Sequence, residues 1–301
     1  MGQSRKKKKF TKKRRNRKLI FLVIFFGLVF SLTLFFFLRI KPTEKMVVQP
    51  MPPPPLPAAK EAGEARKEKE EKEKEKEKTL PPARLALIID DGGYSIDRVK
   101  ELLGMGKPMT FAILPNTPHA RKVALMAHEN GEQVMLHLPM EPRESDRYSL
   151  EQDTVLAGMD KREIQNILQK DLAQIPNVRG VNNHMGSKAT EDTAVMQALM
   201  EVLKKEGLFY IDSHTSSHTV GPQMARQAGV AFGSNDRFID PEKDLETIKK
   251  AIRQVMRKAK KEGKTIAIGH PHPLTAQAIR EMIPEIEKAG IKLVFASEVV
   301  G

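Results

Sequence analysis

The sequence predicts an α/β domain over residues 84–301: a parallel sheet, open or closed, with helices packed outside it. Three observations predict it. Short apolar segments alternate along this stretch with longer segments of helical periodicity, which is the pattern of βαβ units. The apolar segments are continuous rather than alternating, as in Leu85–Ile89, and so read as strands buried on both faces. The acids, imidazoles and amides that interrupt the apolar pattern fall just after these segments, at one rim of such a sheet.

Three other stretches precede this domain. Residues 1–18 are a basic arm, with 11 basic and no acidic residues between Arg5 and Lys18. Residues 19–38 hold no charge and are rich in Phe, Leu, Ile and Val. At ~1.5 Å per residue they match the ~30 Å hydrocarbon core of a bilayer. The segment is longer than the usual apolar core of a signal peptide, ~7–15 residues, and no small-x-small cleavage site follows it. An uncleaved signal anchor is expected, with the basic arm in the cytoplasm and the rest across the inner or plasma membrane, periplasmic or extracellular. Residues 39–83 are a Pro-rich, then Lys/Glu-rich linker with no apolar face. Such a segment cannot bury a core and serves as a solvated spacer.

The net charge of +13 resides in the arm, because residues 84–301 carry 29 basic and 29 acidic side chains. That balance argues against a nucleic-acid partner for the folded part. The absence of cysteine excludes a disulfide frame and a thiolate metal site.

Within the domain, strands are predicted at Leu85–Ile89, Thr110–Leu114, Gln133–His137, Val178–Val181, Leu208–Ile211, Val230–Phe232, Thr265–Ile268 and Lys292–Phe295. Helices are predicted at Ile96–Leu103, Pro118–Glu129, Asp160–Ile175, Asp192–Glu206, Gly221–Ala228, Pro241–Glu262 and Thr275–Ala289. Gly131 and Gly207 stand where helix C-terminal caps belong.

The first strand ends in Asp90-Asp91-Gly92-Gly93. Adjacent carboxylates at the rim of a buried strand need a partner, because burying charge is costly unless it is paired or bound to metal. Asp91 as a helix cap with Asp90 paired to a base is one reading; a metal ligand beside a general base is the other. His137 closes the third strand, with Glu141 four residues on, and Asn182-Asn183-His184 follows the fourth. Asp212 and Ser213 follow the fifth, and His270-Pro271-His272 the seventh. In a parallel barrel these strand ends share one face. Zinc accepts imidazole and carboxylate and keeps a position open for water in catalytic sites, which Asp91, His137 and His184 would allow. Asp90 could then take a proton and His270 give one to a leaving group. His214 and His218, four residues apart, are a rival ligand pair, although Thr215-Ser216-Ser217 makes a poor helix interior.

Several motifs together resemble the divergent polysaccharide deacetylases. They are Ile-Ile-Asp-Asp-Gly-Gly at 88–93, Leu-His-Leu-Pro-Met-Glu-Pro at 136–142, Asn-Asn-His-Met-Gly-Ser at 182–187, Asp-Ser at 212–213 and Gly-His-Pro-His at 269–272. The resemblance covers essentially all of residues 84–301. It implies an irregular (β/α) barrel of about seven strands and a divalent metal, usually zinc. It also implies Asp90 as general base, Asp91 and His137 as ligands and His270 as general acid. Where the parent family has a second ligating histidine this chain carries Glu141, so either Glu141 ligates or His184 supplies the missing imidazole, and His184 is preferred. Asn183, Asp212, Ser213 and His272 are expected to touch substrate or to support these groups.

The expected function is removal of acetyl groups from a cell-envelope or exported polysaccharide by a membrane-anchored, metal-dependent hydrolase. A non-catalytic glycan-binding protein on the same barrel, or a metallohydrolase of another acyl or amide bond, are the alternatives.

Overall fold

Strand β1 (Ala83–Gly92) pairs with three others, and its side chains sort into two layers. Leu85, Leu87 and Ile89 join the large cluster beneath the helices, whereas Ala86 and Ile88 join a smaller one with Ala112, Met135, Ile211, Ile266 and Ile268. Successive side chains of a strand face opposite ways. The second cluster is therefore the inside of a curled sheet, and Asp90 continues the inward-facing row of Ala86 and Ile88.

The computed structural model describes residues 81–301. The basic arm, the predicted membrane span 19–38 and almost all of the linker lie outside the described residues. Among the described residues no helix is long and apolar enough to cross a membrane.

Going along the chain, β1 is followed by α1 (Ile96–Leu103), β2 (Thr110–Ile113), α2 (Ala120–Glu129), β3 (Gln133–Met140), α3 (Lys161–Gln174) and β4 (Val178–Met185). Then come α4 (Thr193–Glu206), β5 (Phe209–Asp212), α5 (Gly221–Ala228), β6 (Phe232–Ser234) and β7 (Arg237–Phe238). The chain closes with α6 (Leu245–Glu262), β8 (Lys264–Gly269), α7 (Pro273–Lys288) and β9 (Ile291–Val294). The strands form one sheet in the order β6-β5-β4-β3-β2-β1-β8-β7, with β9 beside β1, and every pairing is parallel. Parallel pairing requires crossovers, and the amphipathic helices supply them.

The sheet curls on itself. Its edge strands β6 and β7 are separated in the chain only by Asn235 and Asp236. At 3.8 Å per residue the two edges are held within about 11 Å of each other. No ladder joins them, so the curl is incompletely closed. Among the described residues the strands number nine, against the about seven that the resemblance implies. Eight of them have a counterpart among the strands predicted from sequence, the one expected at Val230–Phe232 lying at Phe232–Ser234; only the two-residue β7 has none, having no periodicity to read.

Four of the described helices, α1, α3, α4 and α6, begin where a side-chain oxygen accepts from free first-turn amides. Asp160 and Glu163 form a capping box on α3, Asp192 caps α4 and Asp244 caps α6. The Asp244 cap explains why α6 starts at Leu245 and not at Pro241. Gly207 ends α4 in the left-handed region at φ 66°, as its type and position predict.

Candidate metal centre

A defect in β1 builds the centre. The register of β1 against β2 shifts between Ile89 and Gly92, and Asp91 has φ 55°. Regular alternation would send Asp90 inward and Asp91 towards the helices. The bulge instead turns both adjacent carboxylates into the mouth of the curl, as bulges beside active sites do. Gly93, at φ 117°, lets the chain leave this point, since a Cβ there would collide with the Thr117 side chain. Asn116, Met185 and His214, which follow or end other strands, also have positive φ. Non-glycine residues in this region mark sites where the surrounding structure holds strain.

Three donor atoms meet beside the bulge. Asp91 Oδ1 lies 3.4 Å from His137 Nε2 and 3.2 Å from His184 Nδ1, and the two ring nitrogens are 3.2 Å apart. Bonds of ~2.0–2.1 Å to a tetrahedral ion place neighbouring ligands about 3.3 Å apart, so these separations fit one small divalent cation. The chemistry of the atoms fits it too. Asn182 Nδ2 donates to Asp90 Oδ1 at 2.8 Å, which leaves the amide oxygen to accept from His137 Nδ1 at 2.9 Å. His137 Nε2 then presents a lone pair to the other two donors. Asp91 Oδ1 is buried without a hydrogen-bond partner. Three such atoms facing one another at the mouth form a set that a single cation could satisfy.

The electrostatics agree in direction. Burial alone would raise the Asp91 carboxyl, but the His137 and His184 imidazoles hold it well below the ordinary carboxylate range. Burial pushes Asp90 up, against the opposing pull of His137 and His270. His270 faces Asp91 from 4.0 Å, Nε2 to Oδ2. Burial would lower its imidazole, but the hydrogen bond and charge of Asp240, with Asp90 and Asp91, push it up to about 9. Asp240 Oδ1 lies 3.0 Å from His270 Nδ1, while Oδ2 accepts from the His270 amide and from Thr275 Oγ1, each at 2.7 Å.

The remaining candidates lie elsewhere. Glu141 accepts from Lys188 Nζ at 2.8 Å and from the Ala157 amide at 2.9 Å, and so ties down the segment after β3. Asn183 turns away from the mouth: its oxygen accepts from the Ser213 amide and its nitrogen donates to Met185 O. Asp212 accepts from the His214 amide and Thr219 Oγ1, which shapes the turn after β5. Ser213 Oγ touches the centre indirectly, accepting from Asn182 Nδ2 at 3.2 Å. His214 and His218 are exposed, share no helix and join no ligand cluster among the described residues. His272 sits 6.1 Å from the His270 ring and lines a neighbouring cavity.

Sequence reading missed Asn182 and Asp240. Alternation along β4 offered the first, because a residue two before His184 shares its face while Asn183 does not. Asp240 follows the apolar pair Phe238-Ile239 as other acids follow other strands, but β7 is too short to have been recognised.

The surroundings of this chain among known proteins fit the same picture. The Escherichia coli (strain K12) protein named uncharacterized protein YibQ is 36% identical over 200 residues, 66% of this chain and 62% of that protein. The match thus takes in less than two thirds of that relative's length. An uncharacterized protein of Haemophilus influenzae is 29% identical over 222 residues, covering 72% of this chain and 79% of the relative. The crystal structure of uncharacterized protein ATU2773 from Agrobacterium tumefaciens superposes with a TM-score of 0.70 at 22% identity, over 74% of this chain and 91% of that one. That likeness shows the fold. The sequence profile of the divergent polysaccharide deacetylases matches residues 87–300, which contain every strand end described above. The chain belongs to the divergent polysaccharide deacetylase family.

Proposed function

We propose that the protein is a metal-dependent hydrolase that removes acetyl groups from a cell-envelope or exported polysaccharide. The observation that carries this reading is the meeting of Asp91, His137 and His184 around one point, with Asp90 and His270 at its edge. Asp91, His137 and His184 would hold a divalent ion, for which zinc suits the donor set. When bound, such an ion polarises the acyl carbonyl and acidifies water.

The protein's own groups then have distinct tasks. Asp90 accepts the proton of the water that attacks the acetyl carbon. Its raised affinity for a proton, from burial, suits a base working near neutral pH. Asn182 aims it by donating to Oδ1. His270, held by Asp240, donates a proton to the departing amine or hydroxyl as the acyl bond breaks. The products are acetate and the free amine or alcohol. Membrane attachment through residues 19–38, with the catalytic domain outside the cytoplasm, would place the centre beside such a polymer; the length and apolarity of that segment support this.

Acetate release from acetylated oligosaccharides tests the reading. Asp90→Asn is expected to retain metal and lose activity by about 10²–10⁴-fold. Normal turnover in that variant rules out Asp90 as the base. Hydrolysis of peptides or simple esters with no turnover of acetylated sugars moves the chemistry to another acyl bond.

A further inference from the structure

A cavity of about 230 Å³ adjoins the centre on the His270 side. Its polar walls are Arg98, Asp240, Glu242, Lys243, His272 and Thr275. Two facts set it apart. The first is unpaired charge. Other cations of the domain have a carboxylate: Arg143 pairs with Glu191, Lys188 with Glu141 and Lys170 with Asp153. The side chains of Arg98 and Lys243 have no carboxylate or hydrogen-bond partner among the described residues, although both line one small cavity. Asp240 is not available to them, since both its oxygens are taken by His270 and Thr275. Glu242, exposed on the same wall, pairs with neither. The second fact is position. His272 lies between this cavity and His270, with its ring 6.1 Å from that of His270, which itself reaches Asp91.

Cations gathered around a partly enclosed space repel one another, and an anion placed among them removes that cost. The His272 imidazole feels the crowding: burial, then the charges of Lys243, His270 and Arg98, lower its affinity for a proton against the pull of Asp240. It therefore faces the cavity as a neutral group able to donate one N–H. Guanidinium, ammonium and imidazole N–H together make a donor set for an oxyanion.

We propose that this cavity binds a carboxylate or phosphate carried by the substrate on the sugar next to the one being deacetylated. The proposal rests on the deacetylase reading and narrows its substrate to an anionic glycan. It is tested with matched acetylated oligosaccharides that have or lack a carboxylate on the neighbouring ring. The readout is the ratio of kcat/KM between the two, for the purified full chain and for Arg98→Gln/Lys243→Gln. Hydrogen bonds to charged groups correspond to about tenfold or more each. The ratio is expected to favour the anionic substrate by at least about tenfold and to fall close to one in the double variant. A ratio near one in the unaltered protein, or a ratio that survives the double substitution, overturns the proposal. Inorganic phosphate separates a substrate group from a free anion. Phosphate that binds through Arg98 and Lys243 while the substrate ratio stays at one assigns the cavity to a free anion and also overturns it. If neither substrate is turned over, it is the deacetylase reading that fails, and calorimetry with the deacetylated pair decides the cavity. Tighter binding of the carboxylate-bearing sugar, lost in the double variant, upholds the anion site; equal binding overturns it.

Discussion

His137 on β3 and Asn182 on β4 are register partners, and the Asn182 side-chain oxygen accepts from His137 Nδ1 at 2.9 Å. The same amide donates to Asp90. One side chain therefore fixes the tautomer of a proposed ligand and the aim of the proposed base. Outer partners of this kind are worth about 10–100-fold in metal affinity. Asn182→Leu is expected to weaken metal binding by that factor in chelator competition, with the fold retained. Unchanged affinity would show that His137 does not need this anchor.

Asp240 acts on His270 through its charge and its hydrogen bonds. A general acid must be protonated, so with His270 in that proposed role activity is expected to be lost as pH rises through the His270 pKa. Asp240→Asn removes the leading contribution that raises that pKa. The alkaline limb of the kcat/KM profile is expected to move to lower pH. A profile that keeps its alkaline limb while the rate falls would assign Asp240 a purely structural role.

Glu141 and His184 make opposite predictions. Glu141 is engaged by Lys188 and Ala157, so Glu141→Gln is expected to keep about one ion per chain and to loosen the segment after β3. His184→Ala is expected to lose the ion. Elemental analysis of the two purified variants distinguishes them, and the reverse pattern would make Glu141 the ligand.

Much of this was legible in the sequence because the signals were local. The apolar run before Asp90 marks a buried strand, and two acids with two glycines mark its abrupt end. His137 and His184 follow the apolar runs that end at Leu136 and Val181, although β3 and β4 continue past them to Met140 and Met185. The bulge that turns Asp90 and Asp91 the same way was not legible, since it depends on the register against β2. Asn183 rather than Asn182 would serve the centre only if the stretch after Val181 were a loop; β4 runs on to Met185, and alternation then favours Asn182. Asp240 was hidden by the shortness of β7, and the curl of the sheet by the short β6 and β7 at its edges.

Asp171 on α3 offers a pH test away from the centre. It is fully buried, and its Oδ2 has no hydrogen-bond partner. Burial, with the nearby charge of Asp153, pushes its carboxyl up to about 7. An unfolded Asp titrates near ~3.9. The folded state thus binds this proton more tightly, and the associated stability is present below pH ~4 and lost as pH rises through about 7. Asp171→Asn, neutral at every pH, is expected to be more stable than the unaltered protein at pH 8, with a smaller difference at pH 5. A relieved cost of about 1–3 kcal/mol corresponds to about 2–4 °C in Tm per kcal/mol for a domain of this size. Thermal melts at the two pH values check this, and a difference independent of pH would contradict it.

X-ray absorption at the metal edge of the purified full chain tests the centre most directly. One divalent ion per chain is expected, with two imidazoles and a carboxylate oxygen in its coordination sphere, and one imidazole fewer in His137→Ala or His184→Ala if metal is retained at all. Metal-free protein that still releases acetate, or an ion whose imidazole shell is the same in both variants, would contradict the account.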